Sequence, residues 1–334
     1  MNGMHHNNTP LLSICIPTWN RAEFLEKSLI SIYNQINTIP FGEIELYISD
    51  NCSDDSTSEV VDKYIQLGIP ITYNRNECNL GAAKNFLQCM RWASGKYILL
   101  LGDDDILKAG AINTILSKLR ENDYGMIHIH RHPSLKENQI EYRNVEDFFK
   151  QVSFWITFVS ANIFRKEIVK TIEAEKYINT HLLQVPFFIE SSLSKEKNLL
   201  LNDDLMIEGL DNKKNGGYNF YQVFVKNYLD IWKEFLDKNF ISNKSYEYIK
   251  EDIFFNFIVE HNYRLLFLHS HIMSEDTNYI GHRDGLKIAG AKEILNEYYG
   301  DCMYYKLSKW HYVIFWYRNK KDSVKKILKS LLSR

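Results

Sequence analysis

The chain has 334 residues, 45% of them hydrophobic, and a formal net charge of −2 at pH 7. This length and composition predict one large or two ordinary globular domains, and the near-neutral charge argues against a general affinity for nucleic acid. Positive charge is concentrated at the end: residues 303–334 carry nine Lys or Arg and one Asp, which leaves about −10 for the rest of the chain.

The sequence predicts no targeting or membrane-spanning segment. Residues 1–10 are polar, unlike a signal peptide. The longest apolar run, 152–164, is shorter than the roughly 20 residues that span a bilayer and is interrupted by Ser153, Thr157, Ser160 and Asn162. Five dispersed cysteines indicate reduced thiols, not a disulfide framework or a zinc site. We therefore expect a cytoplasmic protein that contacts membranes only peripherally.

Strands and helices alternate through the first 130 residues. Helical spacing of apolar residues predicts a helix after each of the first four strands, and apolar runs predict the strands themselves at 11–16, 44–49, 71–73, 97–101 and 125–130. Because parallel strands need crossover connections, this order predicts a doubly wound α/β fold with a mostly parallel, Rossmann-like sheet. Ligands bind such sheets where the carboxyl ends of the strands meet.

Polar residues follow these strands. Asn20 and Glu23 have the spacing of a capping box, and Asp54 and Asp55 predict a helix N-terminus rather than a second metal site. The fourth strand ends in a glycine followed by aspartates 103–105. Taken alone, this triplet is either an acidic turn that caps the next helix or a site for Mg²⁺ or Mn²⁺ that also holds phosphates.

The later part of the chain is less regular. Segments 154–164 and 198–206, with helices at 167–175 and 181–190, predict a second half of the same domain, and a Gly-rich stretch predicts a linker. The chain then divides into a tail (1–10), an α/β domain (11–208) and a linker (209–217). The domain has two halves, 11–125 and 126–208. A helical extension without strands follows at 218–334.

Neither of the two common glycine-rich phosphate-binding motifs is present. The first strand is not followed by G-x-G-x-x-G, and the chain contains no G-x-x-x-x-G-K-[ST]. A dinucleotide dehydrogenase and a P-loop NTPase are therefore disfavoured. We expect phosphates to be held by a metal ion instead.

Four motifs in the first half together resemble family 2 glycosyltransferases, which have the GT-A fold. They are SICIPTWNR at 13–21, ISDNCSDDS at 48–56, NLG at 79–81 followed by Asn85, and LLGDDD at 100–105. The last motif is most similar to a bacterial subgroup that includes abequosyltransferase-like enzymes of O-antigen and capsule synthesis.

The resemblance implies a metal-dependent, inverting transfer of a sugar from a nucleotide diphosphate donor. By position, it implies that Asp103 and Asp105 hold Mn²⁺ or Mg²⁺, with one of them towards the ribose, and that Asp50 accepts a hydrogen bond from the base. The other donor-binding positions are Pro17, Thr18, Asn20, Arg21, Asn51, Arg75, Asn79, Gly81, Lys84 and Asp104. A cation beside the leaving diphosphate would stabilise the transition state more than the ground state.

Inversion by direct displacement also needs a base for the acceptor hydroxyl. Many relatives carry an acidic pair beyond the aspartate motif, whereas residues 177–184 contain no carboxylate here. We take His181 as the leading candidate, because the unperturbed histidine pKa of about 6.5 suits a base near neutral pH. The alternative is a hydrogen-bonded histidine at a helix start, with Glu190, Asp203 and Asp204 as the fallback bases.

Three histidines alternate on the strand predicted at 125–130 and just beyond it. His128, His130 and His132 would share one face, as metal ligands do. Arg131 adds positive charge among them, so we expect a polar strand that faces the acceptor rather than a metal site.

The C-terminal stretch 310–334 combines aromatic residues with a basic amphipathic helix. This composition is typical of a helix on an anionic membrane surface, and the alternative is a helix packed on the domain with its lysines in water. Docking at the inner face of the cytoplasmic membrane would suit a lipid-linked saccharide acceptor.

We therefore predict a glycosyltransferase of O-antigen, lipopolysaccharide or capsule synthesis. Residues 11–125 would bind the nucleotide sugar and 126–208 the acceptor, while 218–334 would contact acceptor, membrane or a second copy in a homo-oligomer. A UDP-sugar is the default donor, with CDP- or dTDP-deoxysugars also compatible. Two alternatives stay open: a nucleotidyltransferase, and a non-catalytic sugar-nucleotide-binding or assembly subunit.

Overall fold

The computed structural model describes residues 9–40, 42–132, 135–207, 209, 218–259, 279–280, 286–287 and 290–306. Its strands are β1 (Leu12–Thr18), β2 (Ile44–Asp50), β3 (Ile71–Arg75), β4 (Tyr97–Leu100), β5 (Ile106–Leu107), β6 (Met126–Ile129), β7 (Gln139–Tyr142), β8 (Asn162–Arg165), β9 (Asn198–Leu201), β10 (Met206–Ile207), β11 (Tyr279–Ile280) and β12 (Leu286–Lys287). The helices are α1 (Ala22–Ile36), α2 (Thr57–Gln66), α3 (Ala82–Trp92), α4 (Ala111–Glu121), α5 (Val145–Val152), α6 (Ile168–Thr171), α7 (Gln184–Leu193), α8 (Tyr228–Asp237), α9 (Asn243–Ile253) and α10 (Ala291–Tyr299).

One eight-stranded sheet forms the centre of the fold, in the order β3-β2-β1-β4-β8-β6-β9-β7. β1 to β4 pair in parallel, which confirms the predicted mostly parallel α/β fold. β8 runs antiparallel to β4 and β6, so that Ile163 near its start lies opposite Leu99 near the end of β4. The residues just before β8 therefore lie beside the aspartates just after β4.

The sheet is covered on both faces because its strands alternate between two apolar cores. Leu46 and Leu99 contribute to the core under α1 and α4. Their chain neighbours Tyr47, Ile98 and Leu100 contribute to the core on the other face, which includes α3, α5 and α7. This two-residue period over fully covered strands explains why the strands read as continuous apolar runs.

Helices α8 and α9 belong to the second of these cores. Trp232 of α8 is fully buried, and its ring lies 5.2 Å from that of Phe149 in α5. None of the helices in the described ranges is both long enough and apolar enough to cross a bilayer. The stretch 310–334, for which membrane docking is predicted, lies outside the described residues.

Several local predictions are wrong. The helix expected at 167–175 is only the four-residue α6, because the chain extends at Ile172 before a 3₁₀ turn at Ala174–Thr180. Segment 154–164, for which the sequence predicts no element type, forms two 3₁₀ turns and the start of β8. β7 is not predicted, because it is an edge strand with a half-exposed pattern. β11 and β12 pair in the region expected to contain no strands.

His128, the first of the three alternating histidines, does not face a site where an acceptor could bind. His128 is completely buried because β6 is an interior strand, and Phe188 of α7 lies edge-on to its ring. Its Nδ1 lies 2.9 Å from Oδ1 of Asn162, while His130 stacks on Trp155 with ring centroids 3.8 Å apart. The prediction of a polar, acceptor-facing strand is therefore wrong for His128.

His128 makes the folded protein sensitive to acid. Burial lowers its pKa from 6.5 to about 3, against a smaller opposite effect of the Asn162 hydrogen bond. The unfolded chain therefore takes up a proton below pH 6.5 that the folded chain refuses until pH falls to about 3. We expect the free energy of unfolding to fall by up to about 1.4 kcal/mol per pH unit as pH decreases through this window.

Urea unfolding between about pH 7.5 and about pH 5.5 measures this slope. His128→Gln keeps a hydrogen-bond donor towards Asn162 and should reduce the slope, leaving the part that comes from His130, whose pKa burial also lowers, to about 4. Equal slopes in the wild type and in His128→Gln would contradict the prediction.

Candidate functional site

Three adjacent carboxylates lie buried at the carboxyl end of β4. Asp103, Asp104 and Asp105 are only 3%, 8% and 4% exposed. Gly102 precedes them for a steric reason, because a Cβ there would lie 2.7 Å from Oδ2 of Asp105. The aspartates therefore fold back against the glycine, and a side chain at this position would force the Asp105 carboxylate to move.

Neighbouring segments supply hydrogen bonds to the first and last aspartates. Thr18, at the end of β1, donates its hydroxyl to Oδ2 of Asp103 at 2.7 Å. Ser160 accepts the Gly102 amide at 2.8 Å and donates to Oδ2 of Asp105, whose Oδ1 accepts the Gly209 amide at 2.8 Å. Gly209, which the sequence places in a linker, thus contacts the site.

Arg21 bridges the other carboxylate oxygens. Its Nη1 lies 2.9 Å from Oδ1 of Asp103, and its Nη2 lies 2.6 Å from Oδ2 of Asp104. Burial raises the pKa of Asp103 to about 7, and the charges of Asp104 and Asp105 add to this, while Arg21 and Thr18 oppose it. Burial thus disfavours the ionised form of Asp103, and its contacts with Arg21 and Thr18 favour it.

The carboxylate oxygens around Gly102 suit a hard divalent cation. No set of three His, Cys, Asp or Glu side chains within the described residues is arranged as a complete metal site. Asp103 and Asp105 would therefore need oxygens from a ligand or from water to complete the coordination of Mg²⁺ or Mn²⁺.

Asp50 is buried, and hydrogen bonds hold both of its carboxylate oxygens. It is 0% exposed; its Oδ1 accepts the Ser53 amide at 2.8 Å and its Oδ2 accepts the Tyr73 hydroxyl at 2.7 Å. Nε of Arg75 lies 3.7 Å from the same Oδ2. Both carboxylate oxygens of Asp50 thus have protein partners, and Tyr73 is a partner that the sequence does not reveal.

The loops after β1 and β2 are tied together, and the capping box predicted for Asn20 and Glu23 is wrong. α1 begins at Ala22 without a side-chain cap, because Oδ1 of Asn20 instead accepts the Asp54 amide at 2.8 Å. Asp55 accepts the amides of Ala22 and Thr57, which confirms its predicted place at a helix N-terminus.

An amide network holds the next loop. Asn51 donates to Oδ1 of Asn79 at 2.8 Å and accepts the Leu80 amide at 2.8 Å, while Asn76 donates to both Asn51 and Asn85. Gly81 follows with a φ of +83°, a conformation that side chains rarely adopt, and starts α3. Lys84, in the first turn of α3, is exposed to solvent.

The start of α7 lies at the same edge of the sheet as the aspartates. Gln184 donates to the Thr157 carbonyl at 2.7 Å, near the start of β8, whereas Ser191 accepts the amide of Arg165 at the other end of β8. His181, just before α7, is exposed and has a φ of 59°. Backbone strain of this kind at an exposed polar residue is common at functional sites.

The fallback bases lie in two different places, and Asp203 and Asp204 are at the same edge as the aspartates, because β9 is parallel to β6 and therefore to β4. Glu190 lies near the end of α7 that is remote from this edge. Asp203 and Asp204 follow β9 and are exposed, and Asp204 forms an ion pair with Lys108 at 2.5 Å.

Sequence reasoning missed three residues of this edge. Ser160 orients Asp105, and its only sequence signal is that it interrupts an apolar run. Asn76 joins the amide network without a recognisable motif. Trp19 is 49% exposed in the loop after β1, which is unusual for an indole and leaves it open to a ligand.

Asn85 should be important for stability. It donates to the Ser49 carbonyl at 2.9 Å and accepts the Ser49 hydroxyl at 2.7 Å, all out of water. Asn85→Ala leaves these groups unpaired, so we expect a loss of about 1–3 kcal/mol in the free energy of unfolding. Chemical denaturation checks the value, with Asn113→Ala, which removes a solvent-exposed hydrogen bond to Thr38, as the control. A loss no larger than that of the control would contradict the prediction.

Comparison with known families adds independent information. Residues 13–177 match the family model described as Glycosyl transferase family 2. An abequosyltransferase of Salmonella typhimurium is 46% identical over 100 residues, which are 29% of each chain. A GalNAc(5)-diNAcBac-PP-undecaprenol beta-1,3-glucosyltransferase of Campylobacter jejuni is 36% identical over 113 residues, 34% of this chain and 35% of that one. The chain thus matches about a third of the length of these relatives.

Two solved structures share the fold. Staphylococcus aureus TarS in complex with UDP-GlcNAc has a TM-score of 0.57 at 18% identity, over 76% of this chain and 75% of that one. The mannosyltransferase PcManGT of Pyrobaculum calidifontis, in complex with GDP-Man and Mn²⁺, has a TM-score of 0.50 at 13% identity, over 80% and 77%. Together with the strand order described above, they identify a GT-A type α/β fold.

Proposed function

Since this chain belongs to glycosyltransferase family 2, we propose that it transfers a sugar, with inversion, from a nucleotide diphosphate donor to a saccharide acceptor. The observation that carries the proposal is the buried aspartate triad 103–105, held by Thr18 and Arg21 at the carboxyl edge of the sheet. The curated relatives, an abequosyltransferase and an undecaprenol-linked glucosyltransferase, support a role in bacterial surface-polysaccharide synthesis.

The donor nucleotide would lie across the loops after β1, β2 and β3. Trp19 offers an exposed aromatic face to a base, and Arg75, whose side chain is 46% exposed, offers positive charge beside it. The solved relatives carry UDP-GlcNAc and GDP-Man, which supports the nucleotide-sugar class without choosing the base. We keep a UDP-sugar as the default and CDP- or dTDP-deoxysugars as alternatives.

A divalent cation, Mn²⁺ or Mg²⁺, would be held by Asp105 and Asp103. When bound, it would supply positive charge against the diphosphate that leaves in the reaction. The protein prepares for this by orienting both carboxylates in advance: Thr18 holds Asp103, and Ser160 with the Gly209 amide holds Asp105. Such preorganisation avoids a cost of reorganisation at the moment of reaction.

The acceptor would approach from the side of α7. His181 lies exposed just before this helix, in a turn held by the bond from Asn227 to the Thr180 carbonyl at 2.9 Å. We propose that its imidazole takes the proton of the acceptor hydroxyl as that hydroxyl attacks the sugar. A lipid-linked acceptor would make docking on an anionic membrane through 310–334 useful, and we retain this as part of the proposal.

A ligand screen tests the donor site. We expect one of the UDP-, GDP-, CDP- or dTDP-sugars, added with Mn²⁺, to raise the melting temperature, since a ligand at 100 times its Kd stabilises the folded state by about 2.7 kcal/mol. Asp105→Ala should abolish the shift, whereas Asp62→Ala, at an exposed position in α2, should keep it. The released product should be a nucleoside diphosphate; pyrophosphate would indicate a nucleotidyltransferase. Absence of any shift, or a normal shift in Asp105→Ala, would contradict the proposed function.

The base is tested separately. His181→Ala should lower kcat by about 10²–10⁴-fold, the usual contribution of general base catalysis, while the Kd of the donor stays within experimental error. Glu190→Gln, Asp203→Asn and Asp204→Asn are measured in the same assay and should each retain most of the activity. If one of them loses activity and His181→Ala does not, the base is assigned wrongly.

A further inference from the structure

The guanidinium of Arg21 forms ion pairs with carboxylates of the protein. Its guanidinium bridges Asp103 and Asp104, with both N–O distances below 3 Å. The side chain is 19% exposed, against 4% and 11% for the two carboxylates, so the contact is largely shielded from water. The electrostatic attraction within an ion pair is stronger in such surroundings than on the surface, where water screens it.

The backbone around Arg21 is held from both sides. Asn20 has a φ of 53°, and its amide donates to the Ser53 hydroxyl at 2.9 Å. The amide of Ala22 donates to Asp55 at 3.0 Å, and the guanidinium carbon lies 5.3 Å from the ring centre of Phe24. These contacts aim the side chain at the aspartates and leave it little freedom to turn towards another partner.

The side chains of Arg21 and the aspartate triad each contribute one formal charge to the site. Within the described part of the chain, the ionised triad 103–105 and Arg21 together carry a charge of −2. A divalent cation would offset negative charge of the triad and so reduce its repulsion of a diphosphate. Without Arg21 the same carboxylates would present one more negative charge to a bound cation and to the diphosphate.

We propose that Arg21 is a positioning residue that sets the charge of the aspartate triad and orients Asp103 and Asp104, instead of contacting the donor diphosphate. This inference rests on the proposed function, in which the triad holds a cation and a nucleotide diphosphate. It implies that loss of the Arg21 charge changes the affinities for cation and diphosphate in opposite directions. A purely structural role would weaken both, and a direct diphosphate contact would weaken the nucleotide even where the charge at position 21 is kept and the affinity for the cation is unchanged.

The experiment measures Mn²⁺ alone, and then UDP, CDP, GDP and dTDP with Mn²⁺, by titration calorimetry at one fixed pH for all variants. For Arg21→Gln we expect Mn²⁺ alone to bind about tenfold more tightly than to the wild type, because one positive charge has left the site. The diphosphate that the wild type binds best should bind about tenfold more weakly.

Two further variants separate charge from geometry. Arg21→Lys keeps the charge but cannot bridge both carboxylates, so its affinities for Mn²⁺ and for the diphosphate should fall together instead of changing in opposite directions. Arg120→Gln, which removes an arginine paired with Glu43 on the surface, is the matched control and should change neither affinity. Arg21→Met is the uncharged replacement if Arg21→Gln folds poorly.

The Mn²⁺ titration decides the inference without any nucleotide. If the uncharged variants bind Mn²⁺ no more tightly than the wild type, the inference is overturned. Failure of the wild type to bind any of the four diphosphates would instead overturn the proposed function, which keeps the two failures distinguishable.

Discussion

Burial of three neighbouring carboxylates at the end of β4 is the constraint on which the rest of the site depends. Ionised groups that leave water lose hydration, and charges or hydrogen bonds must offset that loss. The compensating groups come from loops that are distant in sequence, namely those containing Thr18, Arg21, Ser160 and Gly209. The geometry of these loops is therefore set by the charge that they surround.

Much of this arrangement could be predicted from local sequence. The strands β1 to β4 are recognisable because they are covered on both faces and so consist of consecutive apolar residues. Since parallel strands present their carboxyl ends to one edge, the polar loops after them had to converge. This convergence predicts that Thr18 and the triad 103–105 lie close together, and the hydrogen bond between Thr18 and Asp103 confirms it.

The remaining features depend on partners that no local pattern reveals. Asn20 has the spacing of a helix cap, yet its side chain joins a loop 34 residues away. Ser160 and Gly209 reach Asp105 only because β8 turns antiparallel and β10 pairs with β5. His128 alternates like an exposed residue but lies under α7. In each case contacts with distant segments, and not the local sequence pattern, determine where the side chain lies.

The helices after residue 218 share one aromatic core with the α/β layer. Trp232 packs on Phe149, which also contacts Phe188 of α7, and all three rings are shielded from water. A chain that ended before these helices would expose the rings and lose the apolar burial that they provide. Helices α8 and α9 therefore belong to the same core as α5 and α7, and recombination could exchange them only together with new surfaces on α5 and α7.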